Sequence, residues 1–155
     1  MRAAYDALSP AVKERVDGLR AYHSVSYSQT KLGYVSNSND KFDGFKLGAE
    51  VKNPPLRSLV KTHPETGRQA LMIGRHAHGI PGLSETESEK LLEELESFGC
   101  RPPRVYFHRW TPGDVVVWDN RCLMHRACPW DMREPRVMHQ TSIAGDPFTE
   151  FAAAT

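Results

Sequence analysis

The stretch from Val105 to Asp146 constrains the fold more than any other part of the chain. It reads VYFHRWTPGDVVVWDNRCLMHRACPWDMREPRVMHQTSIAGD, with short apolar runs separated by turn formers and charged residues. Such runs are typical of β-strands joined by turns. We predict a strand, a turn at 111–114, a second strand, a loop at 119–121, a strand that carries His125, and a final strand that begins at Arg136.

His125 and Arg136 are the candidate functional pair of this stretch. Ten residues separate them, and this connector is rich in turn formers and charge. The spacing predicts that the two side chains face one another across neighbouring antiparallel strands. A neutral imidazole can bind iron or zinc, whereas a planar guanidinium grips a carboxylate with two hydrogen bonds. The pair therefore indicates a metal next to a carboxylate ligand.

Three motifs carry a family resemblance: HRWTPGDVVVWDNRCLMH at 108–125, the His-x10-Arg spacing, and RVMHQTSIAGD at 136–146. Together they resemble the C-terminal signature of the iron(II)- and 2-oxoglutarate-dependent dioxygenases of the TauD/TfdA family. The likeness extends back through THPETGRQALMIG at 62–74 to ALSPAVKERVDGLRAYH at 7–23. It implies an α+β fold in one domain, residues 1–155, with a double-stranded β-helix (jelly-roll) core and flanking helices.

The resemblance also implies a site. Family members hold iron with two histidines and one carboxylate, which leaves positions for 2-oxoglutarate and oxygen. His125 matches the distal histidine of that set, and Arg136 matches the arginine that pairs with the distal carboxylate of 2-oxoglutarate. The implied cofactors are Fe(II) and 2-oxoglutarate, and the implied partners are molecular oxygen and a small organic, anionic substrate.

Two departures from the family pattern qualify this expectation. The HxD or HxE pair that supplies the other two metal ligands lies, in the family, upstream of the segment matched here. We therefore expect the chain to be the C-terminal portion of a longer enzyme, without the N-terminal strands and weakly active alone. The alternative is a non-catalytic jelly-roll remnant that acts as a binding or oligomerisation module through unpaired sheet edges.

The second departure concerns the substrate. Taurine dioxygenase has an arginine at the position of Gln140, and a neutral amide cannot pair with the taurine sulfonate in the same way. The segment at 73–80 is closer to the phenoxyacetate-type branch of the family. Gln140, Arg75 and His76 are therefore candidate substrate-binding residues, although Arg75 is equally consistent with a solvated side chain.

Other groups of residues could also bind a metal. His63-Pro64-Glu65 is formally an H-x-E, but Pro64 and Gly67 place it in a turn, where polar residues are expected anyway. His76 and His78 are two apart and would share one face of a strand, as an alternative cupin-like site. In the set Cys122, His125 and Cys128, strand alternation would direct Cys122 away from His125, which disfavours a metal site there.

Local signals predict the remaining elements. Ser9 before Pro10 predicts the start of a helix that runs to about Leu19. A hairpin is predicted for residues 56–74. Ser84 and Glu87 form a capping box that opens a helix ending at Gly99, with Leu91, Leu92, Leu95 and Phe98 on its apolar face. The polar stretch from Ser24 to Pro55 predicts a long loop.

Composition excludes several classes of function. Twenty basic and nineteen acidic residues give a net charge of +1, so no basic surface for nucleic acid or an anionic membrane is expected. The apolar runs are too short to span a membrane, and three cysteines without a CxxC pair suit a reducing compartment. We expect a cytoplasmic protein, with homo-oligomers as an open alternative.

Overall fold

A computed structural model describes residues 1–33 and 54–146 of the chain. The regular elements fall between residues 2 and 99 of this described part. In chain order they are α1 (Arg2–Asp6), α2 (Pro10–Val16), β1 (Arg20–His23), α3 (Val25–Lys31), β2 (Leu56–Ser58), β3 (Val60–Thr62), β4 (Gln69–Leu71), β5 (Ala77–His78) and α4 (Glu85–Gly99).

Two of the helices begin at the predicted caps. The Ser9 hydroxyl accepts a hydrogen bond from the Val12 backbone N–H, with Pro10 in the first turn. α2 ends at Val16 rather than near Leu19, because Asp17 is extended and Gly18 has a positive φ of 70°, which favours glycine. In α4 the capping box of Ser84 and Glu87 is present, which confirms the predicted start, and the helix ends at Gly99.

The strands form two small antiparallel sheets. β1 lies between β2 and β5, with Ala21 opposite Arg57 and His23 opposite Ala77. β3 and β4 form the predicted hairpin, with Val60 opposite Leu71. Neither β1 nor α1 was predicted, and α3 lies at the start of the stretch expected to be a loop. Residues 34–53 of that stretch lie outside the described residues.

Leu59 joins the two sheets. Its N–H donates to the Leu19 carbonyl at 2.9 Å, and its own carbonyl accepts from the Met72 N–H at 2.7 Å. Its side chain is fully buried in a core that draws on both sheets and on three helices. The buried members of this core are Ala4, Leu8, Val16, Ala21, Leu59, Leu71, Ile73, Ala77, Ile80, Leu91, Leu92 and Leu95.

The strands predicted for Val105–Asp146 are wrong: within this range, which is fully described, no strand forms. Turns do form, and the predicted turn at 111–114 is confirmed by the bond from the Asp114 N–H to the Thr111 carbonyl. A strand needs a neighbouring strand for its backbone hydrogen bonds, and no described segment pairs with this one. Its apolar side chains stay exposed, with Val117 at 90% and Ile143 at 96%.

The α+β content is confirmed, but the expected double-stranded β-helix is not formed by residues 1–33 and 54–146, which instead carry the two small sheets. Within the same ranges, no helix is both long and apolar enough to cross a bilayer.

Candidate functional site

His125 and Arg136 do not face one another across paired strands, so that part of the prediction is wrong. Both side chains are exposed. The His125 ring lies 4.8 Å from the Trp118 ring, and the Arg136 guanidinium lies 4.8 Å from the Trp130 ring. Without a ladder to fix register, each side chain rests on its nearest aromatic neighbour.

The three candidate substrate residues lie in different surroundings. Gln140 is exposed on the segment without strands, and Arg75 is also exposed, as a solvated side chain would be. His76 is half-buried, and its Nδ1 lies 2.8 Å from the Ser28 hydroxyl of α3. Of the three, His76 therefore has a fixed position within the packed part of the chain.

Pairing of β1 with β5 creates a histidine cluster that the sequence did not reveal. His23 lies opposite Ala77, between His76 and His78 in the chain. Burial, then the nearby Arg57 and the other two histidines, lower the pKa of His23 to about 4. Its Nε2 is buried without a hydrogen-bond partner in the described residues. These groups favour a neutral imidazole at His23 near neutral pH.

His78 borders a shallow cleft of about 280 Å³. Its ring lies 4.2 Å from the Tyr27 ring, and burial lowers its pKa. On the other side of the cleft, Glu89 accepts hydrogen bonds from the Tyr27 hydroxyl at 3.1 Å and from Lys31 at 2.9 Å. Glu85 also lines the cleft. Two carboxylates against one ammonium make this cleft a poor site for an anionic substrate.

A second cluster surrounds His63, whose side chain is only 5% exposed. Its Nε2 donates to Asp119 Oδ2 at 2.8 Å. Arg121 binds the same carboxylate through Nε and Nη2, and its Nη1 donates to Glu65 at 2.8 Å. The hydrogen bonds from Arg121, and then that from His63, hold the pKa of Asp119 well below its usual range.

The burial of His63 differs from the expectation of an ordinary turn residue. His63 stands at the first position of the turn, where its carbonyl accepts from the Gly67 N–H and its N–H donates to the Arg68 carbonyl. The loop at 119–122 packs against the ring, with Asp119 in contact with Nε2. No local pattern could reveal this contact, because the partners are 56 residues apart.

Metal-binding geometry is found at this second cluster. His63, Asp119 and Cys122 place one ligand atom each within 4.8 Å of one another. Among residues 1–33 and 54–146, neither His125 nor the pair His76 and His78 belongs to such a group. The set of Cys122, His125 and Cys128, which was disfavoured as a metal site, is not such a group in the described residues either, and all three cysteines are free.

Comparison with known proteins decides the family. Residues 1–142 match the family described as "Taurine catabolism dioxygenase TauD, TfdA family". The chain belongs to the TauD/TfdA family. The matched range includes His125, Arg136 and Gln140.

Named relatives of this TauD/TfdA chain are 2-oxoglutarate-dependent dioxygenases. The (S)-phenoxypropionate/alpha-ketoglutarate-dioxygenase of Sphingobium herbicidovorans is 56% identical over 99% of this chain and 53% of its own length. The alpha-ketoglutarate-dependent 2,4-dichlorophenoxyacetate dioxygenase of Cupriavidus pinatubonensis is 37% identical over 94% of this chain and 48% of its own length. The chain thus spans about half the length of these curated relatives.

Solved structures of TauD/TfdA-type proteins share the backbone arrangement. The crystal structure of AAD-2 in complex with Mn(II) and N-oxalylglycine matches with a TM-score of 0.74 and 37% identity, covering 87% of this chain and 51% of that chain. A structure described as a putative alpha-ketoglutarate dependent 2,4-D dioxygenase from Burkholderia xenovorans matches with a TM-score of 0.68 and 35% identity, covering 79% and 45%.

The described residues fit the implied iron in part. His125 is exposed, and its ring nitrogens make no hydrogen bond with residues 1–33 or 54–146, so an imidazole is available as one ligand. The described part of the chain does not gather the further histidine and carboxylate around it.

Proposed function

We propose that the chain is the part of an iron(II)- and 2-oxoglutarate-dependent dioxygenase that supplies one metal ligand and the cosubstrate-binding arginine. The reaction would oxidise a small, anionic organic substrate with molecular oxygen. The observation that carries the proposal is the family match over residues 1–142, which includes both His125 and Arg136. The 56% identity with a phenoxypropionate dioxygenase supports the same class of reaction.

His125 would contribute one neutral imidazole to iron. The two further ligands would come from the part of the enzyme that corresponds to the unmatched half of its relatives. A bound iron(II) with 2-oxoglutarate would supply the chemistry that activates oxygen. The Trp118 ring, 4.8 Å from the imidazole, would limit the angles at which the His125 nitrogen meets the metal. The contribution of His125 and Trp118 is therefore to bind the metal and to orient the imidazole that holds it.

Arg136 would bind the distal carboxylate of 2-oxoglutarate. Its guanidinium stacks on the Trp130 ring and makes no ion pair with any residue in 1–33 or 54–146, so its donors remain available. A guanidinium on an aromatic face is more rigid than one in solvent, and its planar fork matches a carboxylate. Arg133, which lies between His125 and Arg136 in the chain, is different, because its Nε and Nη2 already donate hydrogen bonds to the Asp131 carboxylate.

Gln140, His76 and Arg75 would meet the substrate. The amide of Gln140 can hydrogen-bond a neutral or carboxylate oxygen but adds no charge, which disfavours a sulfonate. The exposed guanidinium of Arg75 would attract an anion, and the imidazole of His76, fixed by the Ser28 hydroxyl, would hydrogen-bond it. A phenoxyalkanoate, the substrate class for which two relatives are named, has the required carboxylate and aromatic ring.

The test uses a chimera in which this chain replaces the matched part of the Sphingobium herbicidovorans dioxygenase, so that all metal ligands are present. Arg136→Ala should weaken 2-oxoglutarate binding by roughly thirtyfold or more, the equivalent of about 2–5 kcal/mol for a charge-assisted bidentate pair. Calorimetry with Mn(II) as the metal measures this directly. Arg133→Ala is the matched control and should leave the binding constant unchanged.

His125→Ala in the same chimera should abolish retention of Mn(II) after dialysis. His139→Ala is the control, because His139 is exposed on the same segment, and it should leave Mn(II) retention unchanged. Arg136→Ala should leave metal retention intact, because a guanidinium is not a ligand. If Arg136→Ala bound 2-oxoglutarate normally, the assignment of Arg136 would be wrong.

A second candidate function rests on the exposed apolar residues of the segment at 105–143. Val115, Val117, Val137 and Ile143 are each at least 80% exposed, which is unusual for a protein that remains monomeric. The chain alone would then be an oligomerisation module that pairs with a second copy through unpaired backbone. Sedimentation velocity between low and high protein concentration tests this, and a constant monomer mass would dismiss it.

A further inference from the structure

The cluster around His63 has a set of donors that suits a metal ion. A ring nitrogen of His63, a carboxylate oxygen of Asp119 and the Sγ of Cys122 lie within 4.8 Å of one another, and the nitrogen that contacts Asp119 is Nε2. Zinc bound to nitrogen, oxygen and sulfur at about 2.0–2.3 Å keeps its ligand atoms within a similar span. In the structure a hydrogen bond of 2.8 Å joins His63 Nε2 to Asp119 Oδ2, and a bound ion would replace this bond.

An independent observation at the second ring nitrogen of His63 points to the same conclusion. Nδ1 is buried and has no hydrogen-bond partner in the described residues, although Glu65 Oε2 lies 3.1 Å away at an unfavourable angle. A neutral imidazole that donates through Nε2 has no proton on Nδ1, so a lone pair faces a carboxylate. Metal binding at Nε2 would move the ring proton to Nδ1, opposite Glu65.

That arrangement is common at metal sites, where the bound histidine donates its other N–H to a carboxylate. Glu65 has the right position for this role. Arg121 holds Asp119 from its other side and also bonds Glu65, as outer groups that orient a metal-binding carboxylate do. With ionised Cys122, Asp119 and Glu65, one arginine and a divalent ion, the charges of the cluster cancel.

Cys122 decides which ions fit. Its side chain is 7% exposed, and its thiol makes one weak contact, 3.7 Å from the Asp119 carbonyl oxygen. A sulfur and an imidazole together favour zinc-class ions over magnesium or calcium, which prefer oxygen ligands. Binding would release one proton, that of the Cys122 thiol, to solvent.

We propose that His63, Asp119 and Cys122 form a binding site for a zinc-class divalent ion, with a fourth position open to water. The site would fasten the loop at 119–122 to the turn at 63–67, and thus the start of the segment that bears His125 to the packed part of the chain. The proposal does not rest on the proposed function, because none of its three ligands is assigned to iron or to 2-oxoglutarate.

Cobalt(II) titration of the reduced chain tests the site. Cobalt in a sulfur-containing site absorbs in the near ultraviolet through sulfur-to-metal charge transfer, and we expect this band at one equivalent. Cys122→Ser should remove the band, whereas Cys100→Ser and Cys128→Ser, at exposed cysteines, should keep it. His125→Ala should also keep it, which separates this site from the iron ligand of the proposed function.

A measurement on the unmodified protein guards against variants that fail to fold. Zinc(II) should slow alkylation of Cys122 at least tenfold, as read by mass spectrometry, while Cys100 and Cys128 serve as internal controls. Magnesium(II) should have no effect on any of the three. The proposal is overturned if the native chain shows no charge-transfer band, if the band survives Cys122→Ser, or if zinc does not protect Cys122.

Discussion

The part of the chain up to Gly99 and the part from Val105 to Asp146 differ in what holds them in place. The first buries twelve apolar residues in one core and contains all the regular elements of the described residues. The second contributes Cys122 to the buried residues and Met124 to the edge of the core, while its other apolar side chains are exposed or half-exposed. The second part is richer in apolar residues than the first, so composition does not explain why it buries fewer of them.

The difference lies in where each kind of element finds its backbone hydrogen bonds. A helix such as α4 pairs its own N–H and C=O groups and needs neighbours only to cover one face. A strand pairs with another strand, which can be distant in the chain. A segment with strong strand patterning therefore stays irregular when nothing in the described residues lies beside it.

Hydrogen exchange should show the largest contrast. Amides of Leu91 to Leu95 should exchange roughly a thousandfold or more slowly than those of Val115 to Val117, because opening α4 requires most of a global unfolding free energy of about 5 kcal/mol or more. Mass spectrometry of peptides from the two segments measures the rates. Slow exchange at 115–117 would mean that this segment pairs with something in solution, such as a second copy.

Paired truncations should sharpen the comparison. Leu91 is 1% exposed, so Leu91→Ala leaves a cavity and should lower the free energy of unfolding by about 2–5 kcal/mol. Val117 is 90% exposed, so Val117→Ala should change it by less than about 0.5 kcal/mol. Urea unfolding of the two variants and the parent provides the test. Equal costs would contradict the division into packed and exposed parts.

Acid should act on the packed part through His23. Its pKa in the folded state is lowered to about 4, so between about pH 4 and 6.5 the unfolded chain binds more protons than the folded one. Stability should therefore be highest above about pH 6.5 and fall by up to about 3 kcal/mol as the pH approaches 4. Urea unfolding as a function of pH measures this loss.

His23→Gln removes the titrating group and should flatten that part of the pH profile. His139→Gln is the control, because His139 is exposed on the segment without strands. An unchanged profile in His23→Gln would mean that the acid sensitivity has another source.

The smallest effect concerns the start of α4. Ser84→Ala removes the hydroxyl that accepts the Glu87 N–H, and should cost about 1 kcal/mol. Ser97 lies exposed within the same helix, so Ser97→Ala should be neutral or slightly stabilising, since alanine is the better helix former. Thermal unfolding resolves the two. A loss of the same size in both variants would show that the cap contributes nothing specific.

Local signals in the sequence predicted the elements that depend on local interactions. Ser9 and Ser84 marked helix starts because a cap and its helix are neighbours in the chain. The hairpin at β3 and β4 followed from its own turn. β1 was missed, because its register with Leu56 and His78 depends on residues more than thirty positions away.

Sequence motifs predicted which residues belong to the candidate site but not the contacts between residues distant in the chain. The family resemblance supplied His125 and Arg136, whose roles stay predictions. The paired strands expected to carry them were wrong, because no strand forms at either position. The burial of His63 against Asp119 was missed, because a contact over 56 residues leaves no periodic pattern.

The position of Leu59 has a consequence for how this fold can change in length. This single residue separates the end of β2 from the start of β3, and its backbone is bonded to Leu19 on one side and to Met72 on the other. Because side chains alternate between faces, a single inserted or deleted residue here would turn every following position of β3 to the opposite face. The turn at 64–66 has no such restriction. Natural variants of this chain should therefore differ in length at the turn and keep the junction at Leu59 intact.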